Sequence, residues 1–203
     1  DPLLAILAGI VQGVVEWLPV SSQGNLSIAL TAMGTEPETA LQLALFLQLG
    51  TVCSSTLYYR DDVREAFATA PHWRPGRAFD DRLAELSFVG IATILTGLVG
   101  VPLYVLAVDA VSDVTGAVFV AGIGVLLLLT GVFQLVTRRL EFAAKSDPTV
   151  GDALLVGALQ GFTVLPGVSR SGVTTSALLL RSHDAPSAFR LSFLLSIPAG
   201  IGA

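Results

Sequence analysis

Two short stretches hold the residues able to do chemistry. The first reads Gln12-Gly-Val-Val-Glu16-Trp-Leu-Pro19-Val-Ser21-Ser22-Gln23-Gly24-Asn25. Gln12 and Glu16 stand four apart and so share one face of a helix. A carboxylate in so apolar a chain is expensive at membrane depth, and that cost makes Glu16 a functional candidate; the plainer account is a structural Glu satisfied by backbone amides. The second stretch reads Leu165-Pro166-Gly167-Val168-Ser169-Arg170-Ser171-Gly172-Val-Thr174-Thr175. Pro166 and Gly167 end one helix, and Gly172 lets the backbone approach whatever lies in the gap. A fresh helix behind Ser169–Ser171 offers unpaired N–H groups, hydroxyls and the guanidinium of Arg170, which is the donor set of a phosphate site. The plainer account, a capped turn whose Arg170 pairs with Glu16, is compatible with it, because an empty anion site leaves its Arg on the nearest carboxylate.

The elements that must position these residues are apolar helices. Of 203 residues, 53% are hydrophobic and 13% charged, with mean hydropathy +0.74, whereas soluble domains carry about 25% charged residues. Apolar runs at residues 41–59, 83–106 and 115–137 are each long enough to cross ~30 Å of hydrocarbon. Strand-type alternation is missing, which disfavours a β-barrel and leaves a polytopic all-α membrane bundle. Cys53 stands alone, so neither a disulfide framework nor a thiolate metal site is available. His72 and His183 have no second ligand at metal-binding spacing. Phe46, Phe133, Phe162 and Phe193, and glycines such as Gly97 and Gly100, are most simply helix-packing positions.

The loops at 60–82, with Arg60, Arg64, Arg74, Arg77 and Arg82, and at 138–147, with Arg138, Arg139 and Lys145, should face the cytoplasm. The turn between the two intervening spans carries Asp109 and Asp113 and no base, as expected on the outside. Residues 3–33 and 152–180 then read as re-entrant helix-loop-helix hairpins entering from opposite faces. They are also copies: a shift of 148 aligns ten identities over 26 positions, among them Gly9/Gly157, Gln12/Gln160, Gly13/Gly161, Ser21/Ser169 and Gly24/Gly172. Three crossings between the copies invert the second, and inverted repeats bring their broken helices together near the bilayer centre. The expectation is a single membrane domain over 1–203, with repeat one at 1–137 and a shortened repeat two at 150–203. A symmetric second half would extend the chain by roughly 60–80 residues.

QGVVEWLPVSSQGNL, LPGVSRSG and FLLSIPAG, with LQLGT and YYRDDV between them, resemble the undecaprenyl-diphosphate phosphatase family of the bacitracin-resistance type, over essentially the whole chain. The resemblance implies a plasma-membrane hydrolase that removes the terminal phosphate of a polyprenyl diphosphate and so recycles a lipid carrier for envelope glycans. It maps the acidic motif to Gln12 and Glu16, the Pro-Val-Ser-Ser stretch to Pro19–Ser22, and the phosphate-binding motif to Pro166–Ser171. Three positions depart: the first acidic position is Gln12, a substitution that also occurs in the family, the family's usual Gly-His pair is Gly24-Asn25, and another frequent His is Gln48. An amide binds a phosphate oxygen but does not shuttle a proton near neutral pH.

The expected chemistry is phosphoanhydride hydrolysis. Glu16, Ser22 and Arg170 are the catalytic residues, and Gln12, Ser21, Asn25, Gly167, Ser169, Ser171 and Thr174 contact substrate. A divalent cation, Mg²⁺ or Ca²⁺, bridges Glu16 and the diphosphate. The attacking group is either Ser22 or a water, with Glu16 as base. The rival reading is a non-hydrolytic polyprenyl-phosphate transporter on the same inverted repeat. Expected partners are the lipid, the membrane and a second copy in a homodimer, not nucleic acid.

Overall fold

The computed structural model describes residues 2–16, 18–80, 83–112, 115–138 and 145–202. Arg82, Asp113 and Arg139, which contributed to the charge-bias argument, lie outside the described residues. Among those described, the chain forms nine α-helices: α1 (Pro2–Val15), α2 (Ser22–Ala32), α3 (Pro37–Tyr58), α4 (Arg60–Thr69), α5 (Leu83–Ser112), α6 (Gly116–Arg138), α7 (Val150–Gly161), α8 (Arg170–Leu180) and α9 (Ala185–Ile201). Strand pairing among them is limited to one bridge between Lys145 and His183.

Three helices are long and apolar enough to cross a membrane, at Pro37–Tyr58, Leu83–Ala110 and Gly116–Thr137. They match the expected spans to within a few residues. Many of their large side chains stay on the outside: Leu57, Leu98 and Leu128 are each about 70% exposed. In water such faces would drive association, whereas in lipid they are the ordinary outer surface. One buried cluster forms where the short helices meet α5, with Phe88 and Ala92 against Ala153 and Val156 of α7, Leu178 of α8, and Leu191 and Leu195 of α9; another joins Leu41 of α3 to Phe119 and Ile123 of α6.

Small residues set the closest contact. A Cβ on Gly157 would fall 2.7 Å from the Ala92 Cα, and one on Gly161 would fall 2.5 Å from the Val99 Cβ. Both partners advance together along the chain, so α7 runs in the same direction as α5 and its tip reaches the middle of that long helix. Thr96 reinforces the contact by donating to the Gly157 carbonyl at 3.1 Å.

The stretch from Arg60, expected as a loop, is helical as far as Thr69. Asp61 and Asp62 occupy the first turn, where the helix dipole favours carboxylates, and Arg64 lies 3.5 Å from Asp61 one turn on. Asp62 also ties α4 to the bundle, since Arg190 of α9 reaches both Asp62, at 2.5 Å, and Glu85 of α5.

Asp152 closes the α7–α8 unit. Its buried carboxylate accepts from Lys145 at 2.5 Å, Arg181 at 2.7 Å, and the Thr149 amide and hydroxyl at 2.8 and 2.7 Å, with His183 Nε2 at 3.2 Å. Burial alone would raise its pKa; the donors from His183, Lys145, Arg181 and Thr149 outweigh burial and hold it well below the usual carboxylate range. Since the folded carboxyl titrates below the unfolded one, this stabilisation is complete above pH ~4 and fades only in stronger acid. Asp152→Asn should therefore lower stability at neutral pH by about 3 kcal/mol, the scale of breaking a buried ion pair. Thermal unfolding of the detergent-purified variant beside the parent measures this, and the difference should shrink in strong acid.

Candidate active site

Each chemically promising stretch forms a break between two short helices. In the first, α1 ends at Val15, and the Glu16 amide still donates to the Gln12 carbonyl at 2.9 Å. Glu16 therefore rides on the last helical turn beside Gln12. The α2 helix restarts behind Ser21, which adopts φ 57° and accepts from the Gly24 amide at 3.3 Å. In the second break, Ser169 caps α8 and accepts from the Gly172 amide at 3.2 Å. The Ser and Gly identities shared by the two copies are thus the two halves of one capping interaction.

The breaks touch. A Cβ on Gly24 would lie 2.7 Å from the Gly167 nitrogen, and Ser171 donates to the Leu18 carbonyl at 3.3 Å. Gly167 has φ +102°, and a Cβ there would lie 2.6 Å from the Ile123 carbonyl oxygen, so both conformation and space demand glycine. One face of α6 holds both breaks. Thr130 donates to the Gly167 carbonyl at 3.3 Å, and one turn later Gln134 donates to the Pro19 carbonyl at 2.8 Å. The backbone groups freed by breaking two helices in an apolar bundle are satisfied in this way.

At the junction lies a cavity of about 280 Å³ bordered by Glu16, Ser21, Ser22, Ser169, Arg170 and Ser171. Glu16 is 9% exposed. One carboxylate oxygen accepts from Gln12 Nε2 at 3.0 Å and from the Ser22 hydroxyl; the other accepts from Arg170 Nη2. The second arm of Arg170 donates to the Ser196 carbonyl at 3.1 Å, which aims the guanidinium across the junction. A base, a hydroxyl whose proton points at it, and a guanidinium thus meet from helices 154 residues apart.

The remaining expected site residues stand elsewhere. Gln12 is 1% exposed and sits behind Glu16. Thr174 does not border the cavity: its hydroxyl donates to the Arg170 carbonyl at 2.8 Å and shares a hydrogen bond with Ser192 at 2.6 Å, packing α8 on α9. Asn25 turns back to donate to the Val20 and Ser21 carbonyls at 2.7 and 2.9 Å. It borders a second hollow with Pro19, Val20, Gln134 and Ser169. Residue-level reading missed Gln23, whose buried Nε2 has no protein partner, and Gln48, both of which border the main cavity. It also missed Thr93 and Gln160, although Gln160 is the repeat counterpart of Gln12 and could have been singled out on that ground.

A hard divalent cation needs oxygen donors, and Glu16 and Ser22 present them at the cavity; one shared with a phosphate ligand needs only one or two protein carboxylates. Gln12 turns its Nε2, not its oxygen, toward both groups, and its Oε1 is buried without a protein partner. No group of three His, Cys, Asp or Glu side chains forms a protein-only metal cage among the described residues.

The fold and cavity define an all-α membrane protein with a polar cavity where two broken helices meet. The chain belongs to the bacitracin resistance protein BacA family, whose model matches residues 5–203. Among curated relatives, the undecaprenyl-diphosphatase of Haloarcula marismortui is 48% identical over 99% of this chain and 74% of its own length. The undecaprenyl-diphosphatases of Methanococcoides burtonii and Saccharolobus solfataricus are 42% and 38% identical, over 96% and 99% of this chain and 74% and 71% of theirs. The site geometry makes one sharp demand on the sequence: Gly167→Ala should cost about 1–3 kcal/mol in backbone strain and overpacking. A lowered melting temperature together with weakened pyrophosphate binding is the expected result.

Proposed function

We propose that this protein hydrolyses a polyprenyl diphosphate of the undecaprenyl type to the monophosphate and inorganic phosphate. The observation that carries the reading is the meeting of Glu16, Ser22 and Arg170 in one cavity, with the Ser22 hydroxyl donating to Glu16. The names of the curated relatives, undecaprenyl-diphosphatase, support the same reaction.

In this reading the hairpins at 3–33 and 152–180 are inverted re-entrant repeats within one membrane domain, and the Arg-rich loops at 60–82 and 138–147 face the cytoplasm. Support comes from the matched Ser21/Gly24 and Ser169/Gly172 caps, from the contact of Gly24 with Gly167, and from the tip of α7 ending beside the middle of α5. The apolar face of α5 at Gly100, Val101 and Tyr104 borders the same cavity and suits the prenyl chain.

Arg170 exchanges Glu16 for phosphate oxygens when the diphosphate enters, and the N-terminus of α8 with Ser169 and Ser171 holds the anion. Gln23 Nε2 supplies a further donor. A guanidinium and a helix N-terminus aimed at the transferring group stabilise charge that grows in the transition state. Glu16, released from Arg170, takes a proton from the nucleophile. The Ser22 hydroxyl already points its proton at Glu16, which favours Ser22 as the attacking group. A Mg²⁺ or Ca²⁺ ion held by Glu16 and Ser22 would neutralise diphosphate charge as a Lewis acid.

The detergent-purified protein should release inorganic phosphate from undecaprenyl diphosphate in the presence of Mg²⁺ or Ca²⁺. Absence of release under both ions would overturn the assignment. Arg170→Lys should raise KM about tenfold or more, because a point charge does not replace a planar bidentate fork. Ser22→Ala should lower kcat by about 10²-fold or more if Ser22 attacks; a parental rate would leave water as the nucleophile and reduce Ser22 to a Glu16 ligand.

A further inference from the structure

The main cavity has a second polar wall with no part in anion binding. Thr93 and Thr96 of α5 and Gln160 of α7 border it. Gln160 is 1% exposed, and its Nε2 donates to the Thr96 hydroxyl at 3.2 Å. The one proton of that hydroxyl is taken up by helix carbonyls, at 2.7 Å on Ala92 or 3.1 Å on Gly157. Thr96 can therefore only accept from Gln160, and this orients the amide so that Oε1 is its free end. Gln160 Oε1 is buried and has no protein partner, and neither has the Thr93 hydroxyl one turn before Thr96.

A free carbonyl oxygen repels phosphate oxygens, so Gln160 is not one more anion contact. It suits a ligand that brings hydrogens, and the neighbouring hydroxyl both donates and accepts. Water meets that description, and a polar cavity with several partners is where a buried water is held. Hydrolysis consumes one water whichever group attacks first. The repeat adds an independent reason: Gln160 corresponds to Gln12, but Val164 stands where Glu16 would be. The second copy keeps the amide without the base.

We propose that Gln160 Oε1 and the Thr93 hydroxyl bind and orient the water consumed in hydrolysis. This assignment rests on the phosphatase reading given above. The water oxygen forms its bond to phosphorus as phosphorus parts from the leaving oxygen, which keeps the electron pair. That leaving oxygen is the diphosphate bridge, or Ser22 Oγ where Ser22 has been phosphorylated first. The water proton passes to Glu16, which in the two-step route has by then given the Ser22 proton to the departing monophosphate and returns the water proton to Ser22 Oγ. Gln160 holds one water hydrogen and so turns a lone pair toward phosphorus, without adding negative charge beside the diphosphate.

The test is phosphoryl transfer from undecaprenyl diphosphate by the parent, Gln160→Leu and Thr93→Val in buffer containing methanol, reading kcat, KM and the ratio of methyl phosphate to inorganic phosphate. Gln160→Leu should lower kcat about 10-fold to 100-fold with KM within about threefold, and should raise the methyl phosphate share, because the ordered water has lost its holder. Thr93→Val, which keeps the side-chain shape, should move the same ratio in the same direction and decides the matter if Gln160→Leu fails to fold. A raised KM at parental kcat, an unchanged kcat, or a lower kcat with an unchanged product ratio would each overturn the assignment. No phosphate release by the parent would overturn the phosphatase reading, and this inference with it.

Discussion

Everything at the centre of this protein depends on the ion pair between Glu16 and Arg170. Two charges in an apolar bundle persist only when each is paired and its remaining hydrogen-bond capacity is used. Gln12, Ser22 and the Ser196 carbonyl use it. The pair also fixes tertiary structure, because its members sit on helix ends from opposite parts of the chain. In the proposed function, phosphate oxygens displace Glu16 from Arg170 when the lipid enters.

The rest of the architecture can be understood as what such a pair requires. Helices must break so that their ends converge, and breaking them frees backbone groups that lipid cannot satisfy. Ser21 and Ser169 cap the restarted helices, Thr130 and Gln134 of α6 take up exposed carbonyls, and glycines remove the side chains that would keep the breaks apart. The long helices share one buried cluster, Leu41 of α3 with Phe119 and Ile123 of α6, and leave much of their surface exposed. They supply a lipid-facing shell, and α5 lends a groove of small residues into which α7 sinks.

Much of this was legible in the residues. Span length and hydropathy located α3, α5 and α6, since crossing hydrocarbon demands a long uninterrupted run. The identities between the two stretches led to the expectation that the breaks lie together, and Gly24 does lie against Gly167. Composition hid α4, because its charges read as loop until Asp62 is seen to meet Arg190 across the fold. Motif membership could not separate residues that border the cavity from those that brace it: Thr174 spends its hydroxyl on Ser192, and Asn25 spends its amide on the backbone behind Ser21. Gln23 and Gln160 were passed over because an unpartnered buried atom is a property of packing, not of spacing.

The central claim is that the two breaks form one phosphate site whose resting occupant is the Glu16 carboxylate. An experimental structure of the protein with a non-hydrolysable polyprenyl methylene-diphosphonate tests it most directly. Phosphonate oxygens are expected on the Arg170 guanidinium and on the amides at the start of α8, with Glu16 parted from Arg170. Diphosphonate bound elsewhere, with the Glu16–Arg170 pair intact, would contradict it.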